Sequence, residues 1–379
     1  MLMHRLWFQI HWVMGISAGL VLAVVGITGA GLSFQTEILR GLNPGVLTVE
    51  RQAQPPLTLP ELLARIRAAH PDKRVTSLTV HTAPGHAARV TFAAPRGTAD
   101  ASASRRGETQ YADPYTGQML GKARGAEFFR TVMEVHRWLA TGDVGKHVVG
   151  ASTIALVLMC LSGLYLRWPR RALDLRAWLT FDVTRKGRAF LRHLHATVGT
   201  WMLVPYLVMG LTGLYWSYDW YRDALFAVTG AQRPVTQRGA AHDATAGAGQ
   251  LAAAWAEFER VAGPYTSATL RLPERRQALL ITYLAPGAPH DRAIDRIVLD
   301  MERAAVVTHE RYADKAAGAK LMASMFALHS GSFFGVWGSI ALMIASALMP
   351  LFAVTGWMLY LDRRSKKRRA RVVSAPQAA

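Results

Sequence analysis

The sequence predicts an α-helical membrane protein: four transmembrane helices from a duplicated two-helix unit, with two small external α+β modules carried between spans. Three observations predict it. Apolar stretches run at about residues 6–34, 147–166, 194–218 and 339–361, each long enough to cross roughly 30 Å of hydrocarbon at about 1.5 Å per residue. Each is opened or preceded by a histidine in a repeating register: His11 to Gly29 and His195 to Gly213 both span 18 residues, while His136 to Gly163 and His329 to Gly356 both span 27. Gly15 and Gly26 likewise match Gly199 and Gly210. Between the spans, residues 41–125 and 221–317 lose continuous apolarity and gain Pro, Thr, Arg and Asp.

Charge orients the spans. The chain carries a formal charge of +19, and +13 of it lies in Arg5, residues 167–192 and the tail 362–371. All three segments abut span ends, so the positive-inside bias places them and both termini on the cytoplasmic side. Basic residues distributed in this way mark topology and not a nucleic-acid footprint. The one cysteine, Cys160, lies within an apolar stretch. An intramolecular disulfide, a thiolate cluster and covalent haem attachment are thereby excluded. The first apolar run exceeds the roughly 7–15 residues of a signal-peptide core and is expected to remain as an uncleaved helix.

In chain order, residues 1–40 hold the first span and 41–125 the first module. In that module, LTLPELLARIRAAHPDKR reads as a helix with Pro60 in its first turn, ending at His70–Pro71. SLTVHTAPGHAARVTFAAP reads as two strands about a Pro-Gly turn, and ETQYADPYTGQMLG as a strand with a tight turn. Residues 126–168 combine an amphipathic interfacial helix, broken by Gly142 and Gly145, with the second span. A basic loop fills 169–192, and the third span, 193–220, contains Pro205, an expected kink. Residues 221–317 begin with a Gly/Ala/Thr-rich linker and continue with a helix at LAAAWAEFERVAG. Strands follow at SATLRL, ALLITYL, DRIVLDM and AAVVTHERY. Residues 318–361 hold a second interfacial helix, KLMASMFALHS, and the fourth span; 362–379 form the basic tail.

With this topology His11 and His195 fall at the cytoplasmic boundary, and His136 and His329 at the external one. Equivalent histidines of the two repeats meet in pairs, one per membrane face. Facing neutral imidazoles are the axial ligation that a b-type haem iron requires, so the expected cofactors are two haem b. His193 competes with His195, but residues two apart on a helix point in opposed directions, and the register selects His195. His147, in the second span, is the other alternative ligand. Gly15 and Gly199 lie one turn from their histidines, where a flat macrocycle meets backbone; Gly29 and Gly213 return to the same face and make room beside the outer cofactor. Helix-on-helix packing of small residues is the competing explanation. Arg137, Arg167 and Arg192 lie at the ligand levels and are candidates to pair with haem propionates. His4, His70, His81, His86, His242, His290 and His309 lie in polar segments and are expected to be exposed. Trp138, Phe333, Phe334 and Trp337 read as an interfacial aromatic belt.

HRWLATGDVG running into a span that ends SGLYLRWPRR, the RHLHATVG opening of the third span, and YADPYTGQMLG together resemble the PepSY-associated transmembrane protein family. Within it the chain looks most like the inner-membrane, haem-containing ferrisiderophore reductases of the FoxB type. LDMERAAVV stands where the second module would carry its DPYTG turn. The resemblance implies a bacterial inner-membrane protein with periplasmic PepSY-like modules. It further implies an oxidoreductase passing electrons across the lipid bilayer to Fe(III) in a periplasmic ferric siderophore and releasing Fe(II). No dinucleotide fingerprint occurs, so the electron donor is expected to be a quinol or a separate cytoplasmic reductase. No catalytic side chain is assigned. The competing functions are a non-redox protein that binds or inhibits a periplasmic protease, and a siderophore permease.

Overall fold

The computed structural model describes residues 2–94, 107–169, 171–233, 248–272 and 278–373. Most of the expected linker, with His242, lies outside the described residues. The chain divides into two compact units, one from residues 1–33, 129–225 and 325–379, the other from residues 34–128 and 226–324.

The first unit is helical. Three helices are long and apolar enough to cross a membrane, and a bent pair makes a fourth if counted as one span. The first helix, Leu2–Leu32, packs against Gly142–Arg167 and against the consecutive helices Gly335–Ala347 and Met349–Val373. Gly26 permits its closest approach: a Cβ there would run into the Met349 side chain and the Ser346 carbonyl. Ser346 Oγ donates to the Gly26 carbonyl at 3.0 Å. The third span comprises Gly187–Trp201 and Leu203–Ser217, bent by 62°. Its break falls at Met202, ahead of Pro205, because the proline ring leaves the carbonyl one turn earlier without its donor. Around Ala18, Leu22, Leu156, Cys160, Tyr206 and Met349 the bundle forms an apolar core. Leu20, Ile27 and Val204 point outward and are exposed, as side chains against lipid are.

The second unit is one antiparallel sheet of eight strands. Residues 41–125 supply β1 (Val75–His81), β2 (Ala88–Phe92), β3 (Glu108–Ala112) and β4 (Met119–Gly121). Residues 221–317 supply β5 (Ser267–Arg271), β6 (Ala278–Leu284), β7 (Asp295–Asp300) and β8 (Ala305–Glu310). The order is β4-β3-β2-β1-β5-β6-β7-β8, so the two stretches read as separate modules share one sheet. The joint is β1 on β5, with Leu78 opposite Leu270 and Thr79 opposite Thr269. Those two threonine hydroxyls lie 2.9 Å apart.

Helices Leu59–Ala69 and Ala248–Ala262 cover the sheet. Leu62, Leu63 and Ile66 of the first and Trp255 and Phe258 of the second bury against Leu78, Leu270, Ile281 and Ile297. Alternating burial along β6 and β7 marks a sheet with one buried face. The first helix starts as Pro60 predicts, with Thr58 and Glu61 closing a capping box.

The turns of the two halves match. Asp113 Oδ1 accepts from the backbone of Tyr115 and Thr116, and Gly117 follows at φ +78°. Asp300 Oδ1 accepts from Glu302 and Arg303, and Ala304 follows at φ +48°. LDMERAAVV thus keeps the aspartate turn and places an alanine where the other half has glycine.

Candidate functional site

Four helices bring the histidines together in two pairs. His11 on Leu2–Leu32 meets His195 on Gly187–Trp201, with ring centres 6.2 Å apart and planes at 76°. His136 on Ala126–Trp138 meets His329 on the short helix Met325–Ser330, at 6.4 Å and 64°. The two pairs lie at opposite ends of the first span. Gly29, which backs His136, is 18 residues from His11, about 27 Å of rise along that helix.

The same two-residue device holds every ring. His11 Nδ1 lies 2.8 Å from Ser162 Oγ, His136 Nδ1 3.2 Å from Thr28 Oγ1, His195 Nδ1 2.7 Å from Thr355 Oγ1 and His329 Nδ1 3.0 Å from Thr212 Oγ1. Each hydroxyl residue precedes a glycine whose absent side chain admits the ring. A Cβ at Gly163, Gly29, Gly356 or Gly213 would stand 3.3, 3.0, 3.9 or 3.3 Å from Cε1 of the same histidine. Gly29 and Gly213 therefore make room for the imidazoles themselves.

These contacts fix the tautomer. Thr28, Ser162, Thr212 and Thr355 donate to carbonyls of their own helices, so each accepts from the imidazole. The Val25 carbonyl at 3.0 Å from His136 Nδ1 and the Met209 carbonyl at 3.1 Å from His329 Nδ1 can only accept. Nδ1 carries the proton, and Nε2 presents a lone pair. Among the described residues no hydrogen bond to Nε2 is made in any of the four rings.

The pattern of tethers is also informative. His11 is tethered to Ser162 of the second span, and His136, on the helix ahead of that span, to Thr28 of the first. His195 is tethered to Thr355 of the last span, and His329, on the helix ahead of it, to Thr212 of the third. The imidazole pairs, in contrast, join residues 1–168 to residues 193–361.

Two imidazoles bound to opposite sides of one metal through bonds of about 2 Å hold their centres roughly 6 Å apart, the separation seen here. Among the described residues no cluster of three or more His, Cys, Asp or Glu side chains is placed to hold a metal. Two nitrogens are too few for a tetrahedral zinc site. They suit a metal whose other positions are filled by a macrocycle, which is the donor set of a bis-histidine haem. Phe352 stands edge-on to His195 at 5.2 Å, and Trp216 edge-on to His329 at 5.5 Å. Tyr206 stands against Phe352 and donates to the Ala345 carbonyl at 2.9 Å.

The remaining candidates lie elsewhere. His193 stacks on Phe181, and its Nε2 accepts from the Asp182 backbone at 2.9 Å. His147 is exposed, with its ring beside Tyr218. Arg167 donates to the carbonyls of Ala177 and Trp178, Arg137 lies over Trp138, and Arg192 is exposed. Gly15 and Gly199 face Met159 and Phe352. Phe333, Phe334 and Trp337 are exposed. His290, expected at the surface, is buried: its Nε2 reaches Ser324 Oγ at 2.9 Å and Tyr312 Oη at 3.3 Å. The polar sequence around it folds over a hydrogen-bond network, which removes the cost of burying the ring. Reading the sequence by its histidines and glycines missed Ser162, Thr28, Thr355 and Thr212. The signal was a hydroxyl residue immediately before Gly29, Gly163, Gly213 and Gly356.

A model of the PepSY-associated TM region family matches residues 8–363 of the chain. No curated protein matches it.

Proposed function

Because the chain belongs to the PepSY-associated TM region family, a family of membrane proteins, we propose that it is a two-haem reductase that carries electrons through the bilayer to ferric iron. His11 and His195 would hold one b-type haem, and His136 and His329 the other. When bound, haem iron supplies one-electron chemistry. The observation that carries this reading is the fourfold tether, a hydroxyl on each Nδ1 and a glycine beneath each ring.

The protein's part is placement. Ser162, Thr28, Thr355 and Thr212 fix the tautomer and the direction of each Nε2 in advance, so little ordering remains to be done when a metal binds. The apolar core keeps water from the space between the two levels. The positive charge of residues 169–192 and of the tail supports an orientation in a bacterial inner membrane with the His11/His195 level and both termini on the cytoplasmic side and the His136/His329 level toward the periplasm. Electrons enter from a quinol or a cytoplasmic reductase. At the outer level one electron converts Fe(III) in a ferric siderophore to Fe(II), an ion that hard oxygen ligands hold less tightly.

The test is the optical spectrum of the detergent-solubilised protein. A dithionite-reducible Soret band with two haems per chain is expected, with reoxidation when a ferric siderophore is added. A colourless chain, expressed with ample haem, overturns the reading and leaves a protease-binding protein or a permease. Reducible haem without reoxidation restricts it to an electron relay.

A further inference from the structure

The sheet unit contains a cleft of about 340 Å³ between residues 51–56, the β1–β2 connection at 81–86 and the turn at Pro114–Tyr115. That is within the range of small-molecule sites. Its polar side chains are Arg51, Gln52, Gln54, His81, Thr82, His86 and Tyr115, and no aspartate or glutamate lines it. Pro55, Pro56, Pro84 and Pro114 stiffen its walls. His81 and His86 stack with ring centres 4.8 Å apart, and Arg40 donates to His86 Nδ1 at 3.4 Å. Arg89 reaches Thr79 Oγ1. Among the described residues Arg40, Arg51 and Arg89 form no ion pair.

We propose that this cleft binds a small organic anion of the carboxylate or catecholate class, either free or as the ligand shell of a metal chelate. Arg51 is the one guanidinium in the lining; Arg40 and Arg89 stand behind it, beside His86 and His81, and with no carboxylate in the wall this makes a positive field, which rejects a bare metal ion and draws an anion. Guanidinium and imidazole N–H groups match the oxygens of such a ligand, and the prolines and Tyr115 match its flat apolar parts. Arg89 and Arg40 add to the lowering of the His81 pKa to about 4, after the larger effects of desolvation and of His86.

Full-length protein in detergent is titrated calorimetrically with citrate, with gallium(III) citrate and with a neutral gallium(III) trihydroxamate. Gallium is redox-inert, so the outcome does not depend on electron transfer. Citrate and its gallium complex binding alike assigns the free anion; the complex binding alone assigns the chelate. Arg51→Gln should weaken binding roughly ten- to a hundredfold. Among the described residues the Arg51 side chain makes no hydrogen bond, so its replacement leaves the fold intact. Arg303→Gln, at the β7–β8 turn, should change nothing. The proposal fails if neither citrate form binds, if Arg51→Gln binds as well as the parent, or if the neutral complex binds equally.

Discussion

The Nδ1 atom of His195 lies 2.7 Å from the hydroxyl of Thr355, a residue 160 positions away on another helix. Since that hydroxyl donates to the Leu351 carbonyl at 2.7 Å, its free lone pairs take the imidazole proton. The ring can neither flip nor change tautomer without losing the bond. Three more histidines are held in this way, and the device is open to direct perturbation.

Thr355→Val removes the acceptor while nearly preserving shape. Cofactor affinity at the His11/His195 level should fall about ten- to a hundredfold, the usual cost of losing a ligand's outer partner. Thr355→Ser should restore it. Haem retained per chain and the midpoint potential of that level are the readouts; a valine variant indistinguishable from the parent in both would show the tether to be dispensable.

Single replacement of His11, His136, His195 or His329 by alanine should each remove one of two haems. The remaining level should keep its spectrum. His193→Ala should retain both, because that ring is engaged with Phe181 and Asp182. Pyridine haemochrome assay of purified variants gives the count.

Gly29→Ala and Gly356→Ala make a matched comparison. A Cβ at Gly29 would stand 2.8 Å from Ser346 Oγ and 3.0 Å from His136 Cε1, whereas at Gly356 the nearest atom is His195 Cε1 at 3.9 Å. Overpacking of the first kind costs about 1–3 kcal/mol. Gly29→Ala should lower thermal stability and deplete the His136/His329 level; Gly356→Ala should be tolerated. Equal behaviour of the two would contradict the packing described.

Ala304→Gly should stabilise the sheet unit by roughly 0.5–1 kcal/mol. A left-handed alanine costs about 1–2 kcal/mol, and the added chain entropy of glycine returns part of that. Chemical denaturation followed by far-ultraviolet circular dichroism measures the change, and a destabilised variant would refute it.

Glu108 accepts from Lys122 at 2.8 Å, Gln110 at 2.9 Å and Lys73 at 3.2 Å. With Lys122 the leading cause, its carboxyl group titrates at about 2 instead of the ordinary 4.5. A depressed carboxylate stabilises the fold above its unfolded value and loses that contribution as pH falls from about 4.5 towards about 2. The group is partly exposed, so the effect is screened and modest. Glu108→Gln should flatten the decline in sheet stability across that window, as read from denaturation midpoints at each pH.

The spans and the histidine pairs were legible because both rest on local patterns: unbroken apolar runs, and histidines repeated in register. Pro60 marked a helix start, and the run ALLITYL at residues 278–284 marked β6. Longer-range features had no such mark. Thr79 and Thr269 pair across 190 residues, and nothing in either strand names its partner edge. Thr28 and Thr355 look unremarkable in apolar helices, because a hydroxyl there is satisfied by its own turn; only the neighbouring ring gives it a second use. The third span breaks at Met202, since the effect of Pro205 falls on the preceding turn. His290 sits in a polar segment whose burial is set by Ser324 and Tyr312, 34 and 22 residues away.

Tethers run within each half of the chain, while imidazole partners face each other from different halves. Anything gripped by both rings of a couple is consequently a clasp between the halves as well as a guest. Loading and closure become a single equilibrium, so resistance to unfolding should climb with the logarithm of free ligand. A nick in the basic loop 169–192 would leave two fragments, each with half of both sockets already aimed.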